Sequence, residues 1–235
     1  MTMFLKHLRK CLIISLARSN MRLTKYDWIS IAITILLFAS AIYVYPTLSD
    51  KIPIHWNASG EVDGWGAPQT IFLFPAIVAL IYGLFLAIPR IAVYKKNIQG
   101  FKHFESMKLA LVVFLSAFYL ATFFATIGYD FKMNYVFMPI MAFLFIYLGY
   151  ILKDIKRNFF IGIRTPWTLA SDVVWKKTHE LGGKVFVKLG ILMLVGVFVP
   201  TEYLLWFILL PIFVAVFIMI AYSYVVWKQE GKKSL

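Results

Sequence analysis

Six apolar blocks, near residues 28–45, 70–88, 109–128, 135–152, 185–200 and 204–226, alternate with polar connections along the chain. Each is at or near the ~20 residues an α-helix needs to cross a ~30 Å hydrocarbon core. Pro46 stops the first block and Pro200 ends the shorter fifth. Backbone groups in lipid must bond within their own segment, which selects helices, and the strict alternation of a membrane barrel is absent. The pattern predicts an all-α polytopic membrane protein with six transmembrane helices.

Composition agrees. Of 235 residues 61% are hydrophobic and 15% charged, and the mean hydropathy is +0.79; soluble domains carry roughly a quarter charged residues. The net charge of +13 alone would suggest nucleic acid. The basic residues instead flank the apolar blocks: 22 lysines and arginines fall on one side of the predicted topology, against Lys51 and Lys132 on the other. By the positive-inside rule both termini are cytoplasmic, in a multi-pass protein of the cell membrane. The lipid bilayer is then the expected partner of the basic flanks, with no direct nucleic-acid binding. Trp28, Trp206 and Trp227 fall near block ends, where an indole keeps its N–H wet.

Three segments follow: a basic amphipathic extension (1–20), a membrane domain of two spans with an outer loop at 46–69 (21–105), and a four-span domain with a cytoplasmic connection at 153–184 (106–235). Residues 1–20 lack a small-residue cleavage site and read as an interfacial helix, with Met21 an alternative start. The single cysteine, Cys11, excludes an internal disulfide and a cysteine-based metal site.

The spans carry little chemistry. Asp27, Asp130 and Glu202 fall at borders, and the interiors offer hydroxyls such as Thr34, Ser40, Ser116, Thr122 and Thr126. Ion-coupled transporters usually keep ionisable residues inside the membrane, so a transporter of small molecules or lipids rests on the span count alone. His179-Glu180 opens like a metalloprotease helix, but Leu181-Gly182-Gly183 follows, with no second histidine one turn on. No nucleophile elbow or phosphate-cradling loop is present. No enzyme, cofactor or metal is expected.

The polar connections are richer. In the outer one, Ile52, Ile54 and Trp56 alternate with Pro53 and His55 as an extended segment, and Asn57-Ala58-Ser59-Gly60 and Asp63-Gly64 carry turn chemistry. His55, Glu61 and Asp63 are candidates to converge. Three readings stay open: turn caps with His55 on a carbonyl, a recognition surface that includes Trp56, Asn57 and Gly64, or a divalent-cation site for a metal-assisted hydrolase. In the inner connection, Ser171 is a helix N-cap with Asp172 in the first turn, and Gly182-Gly183 reads as a C-terminal stop. Trp175 and His179, four apart, share a face with Thr178 beside them. Arg164, between Gly162 and Pro166 and next to Trp167, pairs an anion or snorkels from the adjacent span. His179 with Glu180 is the second candidate hydrolase pair.

The stretch NFFIGIRTPWTLASDVVWKKTHELGG (158–183) resembles the signature of the SdpI family of membrane immunity proteins, and IPIHWNASGEVDGWG (52–66) resembles the loop of a small membrane domain of unknown function that often precedes it. The resemblance covers about 21–230. It implies self-protection against a secreted antimicrobial peptide toxin and, as in the best-known system of the family, signal transduction by holding a small autorepressor at the membrane. It assigns Asn158, Gly162, Arg164, Thr165, Pro166, Trp167, Trp175, Thr178 and His179 to the cytoplasmic signature. His55, Trp56, Asn57, Glu61, Asp63 and Gly64 fall to the outer loop.

Overall fold

The first span starts on a capping box. Thr24 Oγ1 accepts from the Asp27 N–H at 3.3 Å, and Asp27 Oδ2 accepts from the Thr24 N–H at 2.8 Å. From there α1 runs over Lys25–Val44 and closes in a 3₁₀ turn at Tyr45–Thr47, where Pro46 has no N–H to continue the helix. The computed structural model describes residues 23–231; the expected N-terminal extension lies outside the described residues.

The connection after α1 folds as a β-hairpin, β1 Ile52–Trp56 against β2 Val62–Gly66, antiparallel, with irregular register around His55. Asn57–Gly60 is its turn, and Gly60 takes a φ of +78°, which suits glycine. Asp63-Gly64, expected as a turn, lies instead within β2: the turn closes three residues earlier, which carries Asp63 up the second strand. The remaining elements are α2 Leu73–Ile91, the short α3 Lys95–Gln99, α4 Phe104–Thr126, α5 Asn134–Leu152, the one-turn α6 Pro166–Ala170, α7 Asp172–Val195 and α8 Thr201–Gly231.

Six helices among the described residues are long and apolar enough to cross a membrane, as expected. An even number of crossings brings the starts of α1, α4 and α7 to the same end as the close of α2, α5 and α8. The connection 153–171 lies at this loop end, and the hairpin lies at the other. The outward faces are apolar and exposed, with Phe143, Phe213 and Phe217 among the large side chains left uncovered, as a lipid-facing surface requires.

Two packing groups stand side by side. Helices α1, α2 and α4 share a core of Leu37, Ala41, Val78, Tyr82, Val112 and Tyr119, into which β1 inserts Ile52. Helices α5, α7 and α8 share Met138, Ala142, Met193 and Leu204. At the loop end Ile98, Phe101, Phe104, Met107, Ile151 and Trp175 join the two groups.

The fifth span differs from expectation. Hydropathy places it at 185–200, but α7 begins at Asp172 and passes straight through Gly182-Gly183. Lysines at 176, 177, 184 and 188 depress the hydropathy of its first turns, so the apolar window opens late. The glycine pair is a packing feature rather than a stop. A Cβ on Gly183 would meet the Gly149 carbonyl oxygen of α5 at 2.8 Å, and one on Gly149 would meet Gly183 O at 2.7 Å. Backbones approach this closely only where side chains are missing.

Candidate functional site

The connection 153–171 has no regular structure before Thr165, so its shape rests on side chains. Asn158, buried, satisfies all of its amide: Oδ1 accepts from the Phe160 and Ile161 N–H groups at 2.8 and 2.7 Å, and Nδ2 donates to Lys156 O and Ile161 O. The chain then turns at Gly162, φ +114°, where a Cβ would collide with His179 Nε2. This close pass lets the Ile163 N–H donate to His179 Nε2 at 3.0 Å. His179 Nδ1 is 2.8 Å from Trp175 O, so it carries the proton and donates. The ring is neutral in this arrangement, because protonated Nε2 could not accept from Ile163. The Trp175 ring stacks on His179 at 4.1 Å and its Nε1–H donates to Ile155 O at 2.6 Å. One face of α7 thus grips the connection at both ends.

Thr165 and Thr168 cap α6 reciprocally, and Pro166 fills its first position. Thr165 Oγ1 reaches Ser223 of α8 at 3.0 Å, and Thr168 Oγ1 donates to Ile163 O at 2.9 Å. Trp167 packs on Tyr224 at 5.1 Å. Ser171, the expected N-cap of α7, accepts from the Val174 N–H and donates to Glu230 Oε2 at 2.6 Å. Thr178 is buried, and its hydroxyl has no partner among the described residues.

Of the signature residues, Asn158, Gly162, Thr165, Pro166, Trp175 and His179 meet in this scaffold. Arg164 is exposed and donates to Phe159 O at 2.6 Å. The anchored arginine is Arg157, one of the 22 basic residues at the flanks: it pairs with Asp172 at 3.0 Å, donates to Leu169 O and lies over the Tyr94 ring. Both nitrogens of His179 are committed to backbone groups, and Glu180 is exposed while His179 is fully buried. The pair is not arranged for hydrolysis.

At the other end, His55 Nδ1 lies 2.5 Å from Asp63 Oδ1 across the hairpin, with side chains 69% and 44% exposed. Gly64 stands opposite His55, where a Cβ would meet His55 Cβ at 2.7 Å. Asn57 shapes the turn, its Oδ1 accepting from the Glu61 N–H at 3.1 Å. Glu61 does not complete a triad: among the described residues no three His, Cys, Asp or Glu side chains converge for a metal. The hairpin is docked, since Gly60 O accepts from the Met133 N–H and Ala58 O from Asn134 Nδ2, both at 3.0 Å. Trp56 is half-buried, while Ile54, His55, Glu61, Asp63 and Trp65 face outward.

A third cluster joins three of the spans. Lys108 Nζ lies 2.6 Å from Asp27 Oδ1 and 2.8 Å from Glu105 Oε2. Tyr82 OH donates to Asp27 Oδ1 at 2.9 Å, and Thr24 Oγ1 lies 2.8 Å from Asp27 Oδ2. Asp27, an acid at a span border, and Lys108, one of the 22 basic residues at the flanks, form a buried pair. The Thr24-x-x-Asp27 spacing signals the cap, but nothing in the sequence signals the partner 81 residues away.

Comparison with known proteins adds three findings. Residues 154–223 match the SdpI/YfhL protein family. Residues 32–79 match a domain of unknown function, DUF1648. The chain is 27% identical over 205 residues to the immunity protein SdpI of Bacillus subtilis (strain 168), covering 87% of this chain and 97% of that protein. No solved structure matches.

Proposed function

Taking residues 154–223 as an SdpI/YfhL segment and 32–79 as the DUF1648 segment before it, we propose that the chain is a non-enzymatic membrane immunity protein that protects its own cell from a secreted antimicrobial peptide. The observation that carries this reading is the similarity to an immunity protein along 97% of that protein's length. The committed nitrogens of His179 and the lack, among the described residues, of a third ligand beside His55 and Asp63 favour it over the hydrolase.

The hairpin faces outward in this reading and the loop end faces the cytoplasm, an orientation supported by the 22-to-2 split of basic residues. A peptide toxin is met by His55, Asp63 and Trp65. The basic loop-end face, with Lys156 and Arg164 exposed, suits an acidic patch on a small repressor. Expression in a toxin-sensitive strain lacking its immunity protein is expected to raise survival under a panel of secreted peptides. Survival equal to that with an empty vector across the panel counts against immunity. Orientation is tested by labelling Ser59→Cys, in a Cys11→Ser background, with a membrane-impermeant maleimide on intact cells. Labelling only after the cells are opened would reverse the assignment.

A further inference from the structure

Helix α7 carries Lys184 and Lys188 one turn apart, both exposed, on the face continued by the exposed Ile191 and Val195. Phe198 closes this span. Gly183 packs on Gly149, three residues before α5 closes at Leu152, so at ~1.5 Å per residue Lys184 and Lys188 lie roughly 6 and 12 Å inside the loop-end edge of the ~30 Å core that α5 spans. A lysine at that depth is costly unless an anion meets it. Among the described residues no carboxylate lies within ion-pair distance of either.

The two lysines line a groove of about 560 Å³ between α5 and α7. Lys153, at the close of α5, lines its mouth and reaches the Tyr150 ring at 5.5 Å. Gly149 and Gly183, packed backbone to backbone, also line it. Glu180 also lines the groove, leaving a formal charge of +2 from three lysines and one acid. An anion from outside the chain would satisfy the lysines. A phospholipid headgroup already stands at the loop-end edge, within reach of lysine side chains that extend toward it, whereas a soluble anion would have to leave water for the same site.

We propose that the α5–α7 groove holds the headgroup phosphate of an anionic phospholipid from the leaflet at the loop end. Lys153, Lys184 and Lys188 contact the phosphate, and an acyl chain lies along Ile191 and Val195. Basic pockets between transmembrane helices bind anionic headgroups by this physics.

The test is native mass spectrometry of the full-length chain in mild detergent, with phosphatidylglycerol and phosphatidylcholine of identical acyl chains. Wild type is expected to retain phosphatidylglycerol at least tenfold more strongly. Lys184→Gln/Lys188→Gln is expected to lose about 25-fold in that binding, at about fivefold per lysine, whereas Lys176→Gln/Lys177→Gln on the same helix keeps it. Lys153→Gln, at the exposed mouth, gives an independent reading with an expected loss of about fivefold. Unchanged binding in either groove variant overturns the proposal, and so does an equal loss in the control, which would indicate diffuse charge. Displacement of the lipid by excess inorganic phosphate also overturns it, since the site would then be one for a soluble anion.

Discussion

Lys108 of α4 and Asp27 of α1 hold each other at 2.6 Å with 4% of each side chain exposed. Tyr82 of α2 donates to the same carboxylate, so three spans meet at one oxygen. Glu105 shares the lysine at 2.8 Å but is one-third exposed and can reach solvent. The ion pair therefore fastens the α1–α2–α4 group near the loop end, where apolar packing alone would permit sliding.

Breaking one side of a buried pair leaves an uncompensated charge. Asp27→Asn or Lys108→Met is expected to destabilise the protein by about 3–5 kcal/mol. Asp27→Leu/Lys108→Met, which removes both charges, should cost much less than the two single changes together. Thermal unfolding in detergent, arranged as a double-mutant cycle, measures this. Additive losses would show that the two residues act independently.

Gly162→Ala tests the grip of α7 on the loop. The backbone there is left-handed, and the new methyl group points at His179 Nε2. Strain of about 1–3 kcal/mol should displace Ile163 from His179 and open the connection. Limited trypsin digestion reads this directly, because Lys156, Arg157 and Arg164 lie in the segment. A cleavage rate equal to wild type would mean that the loop is held elsewhere.

How much of this was legible follows from what each feature depends on. Spans depend on local composition, because lipid permits only helices, and five of six fell within a few residues of expectation. The exception, the fifth span α7, begins among lysines and hides its first turns. The His55–Asp63 contact was legible because only a turn separates the residues. The Trp175–His179 stack followed from helical spacing. Its partner, the Ile163 N–H, did not, since nothing local says where a loop returns. Lys108 misled for a related reason: a lysine at a span border reads as a topology charge, and only three-dimensional proximity distinguishes it from a buried partner.

The glycine seam provides an internal control. Gly183→Val would drive side-chain atoms into the Gly149 carbonyl, and is expected to cost at least the 1–3 kcal/mol typical of overpacking. Gly83, within α2, has nothing within 4 Å of an added Cβ. Gly83→Ala should instead stabilise by about 0.5–1 kcal/mol through helix propensity. Melting temperatures moving in opposite directions support the seam. A tolerated Gly183→Val would show that α5 and α7 can separate without loss.

Asp154 gives the pH dependence outside the spans. Burial raises its carboxyl, but hydrogen bonds from Lys102 and His103, both at 3.1 Å, outweigh this and hold it below the ordinary carboxylate value. A depressed folded-state pKa contributes stability above the unfolded value near ~3.9, lost as pH falls through the lowered value. Lys102 is mostly exposed, so the contribution is about 1 kcal/mol or less. Asp154→Asn should melt lower than wild type at neutral pH, with the gap closing below about pH 4. A gap that persists at lower pH would trace the loss to packing rather than charge.

The hairpin separates recognition from folding, on the reading that it meets the peptide. Ile52 is buried in the α1–α2–α4 core, whereas Trp65 is 58% exposed and His55 and Asp63 also face outward. Ile52→Ala removes core methyl groups and should destabilise by about 2–5 kcal/mol, lowering membrane abundance and protection together. Trp65→Ala and His55→Ala should leave the unfolding free energy within about 0.5 kcal/mol of wild type, as exposed positions do. Protection should nevertheless fall, because an exposed tryptophan is among the side chains most able to anchor a partner and the His55–Asp63 pair lies beside it. Survival assays normalised to membrane abundance distinguish the two outcomes. Full protection by both exposed variants would move the peptide's contact away from the hairpin, to the apolar faces of the spans.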